Sequence, residues 1–264
     1  MTAPGETTTP GTARRALVRR PADSLAEGQI THIERVPIDL DLARAQWAGY
    51  VAALQAEGWS TIEVEPAPDQ PDSVFVEDAV ILFGDTAVLS SPGAPSRRGE
   101  TAGAESSVRA LGAVVRRVDL PGTLDGGDVL KVGTTVYVGQ SLRTNADGAR
   151  QLTDIVEPLG YTVIPVPVTR ALHLKTAMTA LPDGTIIGYP PLVDDPALFD
   201  RFLAVPEPEG TAVVVLDQHT LLISAAAPRT AELLTGLGYR MVTVDITEFE
   251  KLEGCVTCLS VRVR

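Results

Sequence analysis

The sequence predicts an α/β protein in which a β-β-α-β unit is used about five times and the last strand returns to close a ring. Three observations predict it. Four segments share an apolar strand, a tight polar turn and a second apolar strand; a helical stretch follows each; and a further strand comes after the helices. Apolar, β-branched runs flanking Gly or Asp turn residues are the signature of a hairpin, and a recurring supersecondary unit points to a repeat architecture. The competing architecture is a doubly wound sheet with a few hairpins, and the recurrence of the hairpins counts against it. No long Pro/Gly/Ser linker divides the chain, so residues 14–264 are expected to form one domain.

Taken in order, residues 16–19 are expected as a strand, 40–55 as a helix and 61–64 as the next strand. The hairpins are 79–89, 128–138, 177–187 and 212–223. Helices are expected at 100–111, which opens with acidic residues, and at 145–159, which starts on the capping residue Asn145 and stops at Gly160. A shorter helix is expected at 195–203, and another at 228–237, running into Gly238. Strands 114–118, 162–166 and 241–244 follow, and 258–263 is the strand that closes the ring.

Composition limits the partners. Lys and Arg number 22 against 34 Asp and Glu, a formal charge of -12. Sequence-independent nucleic-acid binding needs a basic face to displace counterions, so no nucleic-acid partner is expected. No run of roughly 18 apolar residues is present, so no membrane span is expected. Residues 1–13 are polar and rich in Thr, Gly and Pro, without the apolar stretch of a signal peptide. They are expected to be a disordered tail on a cytoplasmic protein. The two cysteines, Cys255 and Cys258, make no disulfide framework; their spacing suits a redox pair or half a metal site. A structural zinc site wants about four ligands, and His32, His173 and His219 are scattered, so no metal is expected.

The chemistry-bearing residues gain meaning in combination. Asp72, Glu77 and Asp78 surround a short apolar segment read as a strand, with Asp72 and Asp78 on one face. Carboxylates in such a setting cost several kcal/mol each unless a cation pairs with them, on the order of the penalty for a buried ion. Asp125 and Asp128 flank two glycines at the same point of the next unit. Arg97 and Arg143 follow the second strands of adjacent hairpins and could clamp one carboxylate. Cys258, or equally Cys255, is a candidate nucleophile beside the last strand, and His173 a candidate acid–base. Taken alone, each is an ordinary core residue, and His32 and His219 read as surface residues. Together they describe a site for a small zwitterion with a guanidinium-like head and an amino-acid tail.

These motifs resemble the dimethylarginine dimethylaminohydrolases of the guanidino-group-modifying superfamily. The resemblance runs over nearly the whole chain. It is carried by Pro71-Asp-Ser-Val-Phe-Val-Glu-Asp78, Arg97-Arg-Gly-Glu100, Leu124-Asp-Gly-Gly-Asp-Val129, Arg143-Thr-Asn145, Leu172-His-Leu-Lys-Thr176 and the pair Thr257-Cys258. It implies a pentein-like, five-bladed α/β propeller of ββαβ modules with pseudo-fivefold symmetry, acting as one catalytic domain. It implies Cys258 as nucleophile, His173 as general acid and base, and Asp125 as the carboxylate that orients the histidine. Asp72, Glu77 and Asp78 would hold the cationic groups of the substrate, with Phe75 packed nearby. Arg97 and Arg143 would bind its α-carboxylate, and backbone carbonyls near Gln29 and Leu252 its α-amino group.

The implied activity is hydrolysis of Nω-methylated arginines to citrulline and an amine through a covalent Cys thiouronium, with neither metal nor organic cofactor. The enzyme would act as a monomer or homodimer. The alternative within the same fold is an arginine deiminase. This sequence departs from the family pattern at two places: the polar Gln29 stands in the lid, and Cys255 replaces a glycine before the nucleophile. The second departure puts another thiol near the site, open to oxidation or metal capture.

Overall fold

The computed structural model describes residues 14–263; the tail expected over 1–13 lies outside the described residues. β1 (Arg15–Val18) leads into α1 (Leu40–Ala56) and β2 (Ser60–Glu63). The next unit holds β3 (Val80–Phe83), β4 (Thr86–Leu89), α2 (Thr101–Ala110) and β5 (Val114–Arg117). After it come β6 (Val129–Val132), β7 (Thr135–Gln140), α3 (Ala146–Val156) and β8 (Thr162–Pro167). A single turn, α4 (Leu174–Ala177), opens the unit of β9 (Met178–Ala180), β10 (Ile186–Gly188) and β11 (Phe202–Ala204). The last complete unit is β12 (Val213–Val215), β13 (Thr220–Ser224), α5 (Pro228–Gly236) and β14 (Arg240–Val244), followed by α6 (Thr247–Glu250) and β15 (Val261–Val263).

These strands form five sheets of three, and the same order recurs in each. The first strand is antiparallel to the second, and the third is parallel to it: β3-β4-β5, β6-β7-β8, β9-β10-β11 and β12-β13-β14. In the remaining sheet β15 takes the first place. It pairs antiparallel with β1, Arg15 opposite Val263 and Leu17 opposite Val261, while β2 lies parallel on the other side. The ring therefore closes as the repeats predict. Its centre is a cavity of about 250 Å³ lined by residues of all five first strands, among them Leu82, Leu130, Thr179, Val213 and Arg262.

Local chemistry sets the elements. The Asp39 carboxylate accepts from the Leu42 amide and caps α1, and the Asn145 side chain does the same for α3 through Gly148. The β3–β4 turn needs Gly84, whose φ is +58°. Ala43, Trp47, Tyr50 and Leu54 recur at helical spacing along α1 and pack with Val214, Val244, Phe249 and Val256. Among the described residues no helix is long and apolar enough to cross a membrane.

Three expectations are corrected. Residues 195–203 do not form a helix; Pro196–Leu198 is one 3-10 turn and β11 follows. Asp195 caps Ala197, but the two-proline turn Pro190–Leu192 lies just before it, and Phe202 is taken by pairing with Ile186. The segment around Asp72 is a string of turns, ending in the 3-10 turn Val76–Asp78, because the amides of Phe75, Asp78 and Ala79 bond back to Asp72, Phe75 and Val76. Strand alternation therefore does not place Asp72 and Asp78. The closing strand starts at Val261, and Cys258 sits in a turn whose amide bonds to the Cys255 carbonyl at 3.1 Å.

Tyr50 ties α1 to that turn. Its buried hydroxyl lies 2.9 Å from the Val256 carbonyl and 2.7 Å from the Ser260 hydroxyl. Tyr50→Phe leaves the Val256 oxygen unpaired and is expected to lower the unfolding free energy by about 1–3 kcal/mol. Urea denaturation checks this.

Candidate active site

The repeat delivers the site. Glu77 and Asp78 lie just before β3, Asp125 to Asp128 before β6, His173 before α4 and β9, and Cys258 before β15. Equivalent loops at one end of the ring thus converge, and all of these side chains are buried.

His173 is held by carboxylates. Its Nε2 lies 3.0 Å from Asp125 Oδ2, and its Nδ1 lies 3.9 Å from Asp78 Oδ1. The ring rests on Gly127, where a Cβ would come within 2.6 Å of Nδ1, so a side chain there would displace the imidazole. Burial opposes the imidazolium, but Asp78, the bond to Asp125 and the Asp128 charge outweigh it and push His173 up to about 9. Asp125 is fixed in turn by the Gly93 amide at 2.9 Å and by Arg143 Nη1 at 3.5 Å.

Asp78 is the hub. Burial alone would raise its carboxyl, but the charges of His173 and Arg97, with bonds from Arg97 and the Gly127 amide, hold it well below the usual range. Arg97 donates from Nη1 to Asp78 at 2.8 Å and from Nε and Nη2 to Glu100 at 2.9 and 2.8 Å; Nη2 also reaches the Asp72 carbonyl. Arg97 is thus chiefly a strut between carboxylates, with a second Nη1 hydrogen left over. Asp78, Asp125 and His173 each place a ligand atom within 4.8 Å of the others. A protonated His173 and the adjacent Arg97 guanidinium suit that cluster to proton transfer rather than to a metal ion.

Cys258 faces the same hub. Its carbonyl accepts from the Glu77 amide at 3.2 Å. Its thiol is pushed well above the ordinary value by contact with Cys255, by burial and by the charges of Glu77 and Asp78. The turn bearing it is fitted against Phe75, whose ring would lie 2.3 Å from a Cβ on Gly254; Phe75 also packs edge-on to Phe249. Glu77 pairs through Oε1 with Lys175 at 2.7 Å, while its buried Oε2 has no hydrogen-bond partner among the described residues.

The expected carboxylate end is partly occupied by the chain itself. Arg143 Nη2 donates to the Gln29 side-chain oxygen at 3.2 Å, and the Gln29 amide nitrogen reaches the Ser96 hydroxyl. The Gln29 backbone amide donates to both Asp72 oxygens, at 3.1 and 3.2 Å. Burial raises the Asp72 carboxyl. Leu252 is buried beside Gly28. His32 and His219 are exposed and outside the cluster.

Sequence reasoning gave no role to several supporting residues, including Asp128, which it noted only as the partner of Asp125 around the two glycines. Asp128 is fully buried, accepts from the Leu174 amide and Ser141 hydroxyl, and is raised to about 6 by burial. Glu100 and Lys175 are the partners of Arg97 and Glu77. The doubled Asp of Leu124-Asp-Gly-Gly-Asp-Val129 was the available signal for Asp128, and the i,i+3 spacing of Arg97 and Glu100 for the strut.

No protein-family profile matches the chain. A dimethylarginine dimethylaminohydrolase of Streptomyces coelicolor, however, is 61% identical over 252 residues, 96% of this chain and 98% of its own length. The chain belongs to the dimethylarginine dimethylaminohydrolase family. A second member, from Pseudomonas aeruginosa, is 37% identical over 249 residues, 93% of this chain and 98% of that one. A solved structure of a family member's histidine-to-glycine variant, as an adduct with S-methyl-L-thiocitrulline, matches with TM-score 0.88 and 34% identity, covering 95% of this chain and 100% of that one. The P. aeruginosa enzyme's cysteine-to-serine variant, complexed with citrulline, matches with TM-score 0.86 and 35% identity over 94% and 98% of the two chains. The five sheets are those of the family's pentein-like α/β propeller.

His173 ties stability to pH. Its value in the fold, about 9, lies above the ordinary 6.5, so its contribution is complete below 6.5 and is lost as pH rises through 9. That contribution is on the order of 3 kcal/mol. Urea midpoints should fall from neutral pH to above 9 in the wild type, and His173→Asn should flatten that fall.

Proposed function

We propose that residues 14–264 act as one catalytic unit that hydrolyses Nω-methylated arginines, asymmetric dimethylarginine and monomethylarginine, to citrulline and dimethylamine or methylamine. One observation carries the reading: a buried, unpartnered carboxylate oxygen, Glu77 Oε2, on a residue bonded through its amide to the Cys258 carbonyl. A buried acceptor without a donor is costly, and a guanidinium N–H is the donor that would relieve it. The reading takes the ligand as a small zwitterion handled in the cytoplasm by a monomer or homodimer, and the acidic balance of the sequence argues against a nucleic-acid partner.

In this reading Glu77, Asp78 and Asp72 face the cationic groups, with Phe75 shaping the wall. Arg143 takes the α-carboxylate after exchanging the Gln29 side-chain oxygen for it, and the remaining Nη1 hydrogen of Arg97 assists. Carbonyls near Gln29 and Leu252 receive the α-amino group. Before binding, contact with Cys255, burial and the charges of Glu77 and Asp78 keep the proton on Cys258. An incoming cation offsets the carboxylate charges, so on binding the thiol releases its proton to solvent and becomes the thiolate.

The thiolate attacks the guanidinium carbon and forms a C–S bond. His173, protonated at neutral pH, gives its proton to the departing amine as the C–N bond breaks. Neutral His173 then takes a proton from water, which attacks the thiouronium carbon. The C–S bond breaks, releasing citrulline and Cys258. Asp125 holds the imidazole in place through both halves.

Cys258→Ser should abolish turnover, and His173→Gly should slow it by about 10²–10⁴-fold with a smaller change in substrate binding. Gln29→Ala should alter KM for methylarginines more than kcat, because the side chain competes with the substrate carboxylate for Arg143. Comparing kcat/KM for asymmetric dimethylarginine, monomethylarginine and arginine decides the substrate. The methylated substrates are expected to lead, since unpaired N–H donors of arginine cost about 1–3 kcal/mol when buried; arginine as the best substrate would make the enzyme a deiminase.

A further inference from the structure

Cys255 has no part in the chemistry above, yet its sulfur lies 3.3 Å from that of Cys258. The two residues occupy the ends of a single turn, closed by the Cys258 amide and the Cys255 carbonyl at 3.1 Å. Residues at the ends of such a turn have Cα atoms within about 7 Å, and disulfides span about 4.4–6.8 Å. The backbone therefore already holds the pair at bridging range, and a modest rotation of the side chains brings the sulfurs together. Neither is bonded to anything else covalently.

We propose that Cys255 and Cys258 form an oxidation site, a reversible intrachain disulfide that removes the nucleophile when a hydroperoxide reaches the pocket. The switching effect rests on Cys258 being the nucleophile; the bridge itself does not.

The route in is through Cys255. It is partly exposed, and it lines a cavity of about 270 Å³ with His32, Arg170, Leu172 and Thr176, whereas Cys258 is buried. The contact with Cys258 lowers the Cys255 thiol, and the Thr257 hydroxyl, 3.3 Å from its sulfur, is a further partner for the charge. The thiolate is the form that reacts with peroxides.

The chemistry balances with the hydroperoxide as oxidant. The Cys255 thiolate attacks the peroxide oxygen, the O–O bond breaks, and the departing alkoxide or hydroxide takes up a proton; Cys255 becomes a sulfenic acid. The Cys258 sulfur then attacks the Cys255 sulfur. The S–S bond forms, the S–O bond breaks, and hydroxide leaves with the Cys258 proton as water. Two thiols lose two electrons and one peroxide is reduced. A dithiol reverses the bridge by exchange.

A chain with glycine in place of Cys255 could not do this: its lone Cys258 would have no resolving partner, and further oxidation would carry it to the irreversible acids. In this chain the bridge shelters the nucleophile while it is silent.

The test treats the full-length enzyme with hydrogen peroxide and follows turnover of asymmetric dimethylarginine alongside peptide mass. Expected is a peptide spanning both cysteines that is lighter by two hydrogens and resists alkylation. Turnover should fall in proportion to the bridged fraction and return with dithiothreitol. Cys255→Ser and Cys255→Gly should retain most turnover without oxidant, form no bridge, and lose activity to peroxide more slowly than the wild type but in a way dithiothreitol does not restore. Only oxygen-addition products in the wild type, or equal recovery in the Cys255 variants, overturns the proposal. A bridge that forms while turnover continues overturns the switch together with the assignment of Cys258 as nucleophile, and Cys258→Ser then retains activity.

Discussion

Arg97 is the interaction on which the site depends. A site that receives a cation needs carboxylates, and burying several of them together is unfavourable unless a fixed positive charge offsets them. Arg97 supplies it from inside the protein, bonded to Asp78 on one side and Glu100 on the other, with the 72–75 carbonyls above it. Its own charged form is strengthened well beyond the ordinary despite burial. Through Asp78 the effect reaches His173, which is raised as an acid, and adds to the contact with Cys255 and the burial that raise the Cys258 thiol. Breaking a buried pair of this kind costs about 3–5 kcal/mol, so the strut is structural and electrostatic at once.

The propeller turns that requirement into geometry. Because each unit starts at the inner wall, the residues just before the first strands meet at one end of the axis. In the proposed reading, the same position in four of the five units carries a cation holder, an orienting acid, an acid–base and a nucleophile. The second strands lead to Arg97 and Arg143 at corresponding places. The division of labour comes from side-chain identity on a repeated backbone.

The hairpins were legible because β-branched apolar runs flanking Gly or Asp turn residues are local signals, and the strand–helix order could be read along almost the whole chain. The closing strand followed from counting units. Less legible was anything set by cross-chain contacts. The 72–78 segment reads as a strand from its valines, but Pro71 and the turn bonds bend it, and its carboxylates are placed by Arg97 rather than by alternation. Residues 195–203 have helix-compatible composition but are claimed by pairing of Phe202 with Ile186. At the site, Cys258, His173 and the arginines were visible by type and by family resemblance. The partners that fix them, Glu100, Asp128 and Lys175, are ordinary in sequence and become informative only once their neighbours are known.

The ring has a seam, where β15 lies against β1 and Arg15 faces Val263. Every other sheet is built from strands close along the chain, whereas this one joins residues nearly the whole described length apart. Its closure carries the largest loop entropy of the five. Cys258 hangs immediately beside it. Fraying at that joint would detach Cys258 from Glu77, and its neighbours Val256 and Ser260 from Tyr50, while four sheets stay intact. Turnover is then a more sensitive gauge of the molecule's wholeness than its bulk secondary structure, and mild denaturant would silence the enzyme while it still looks folded.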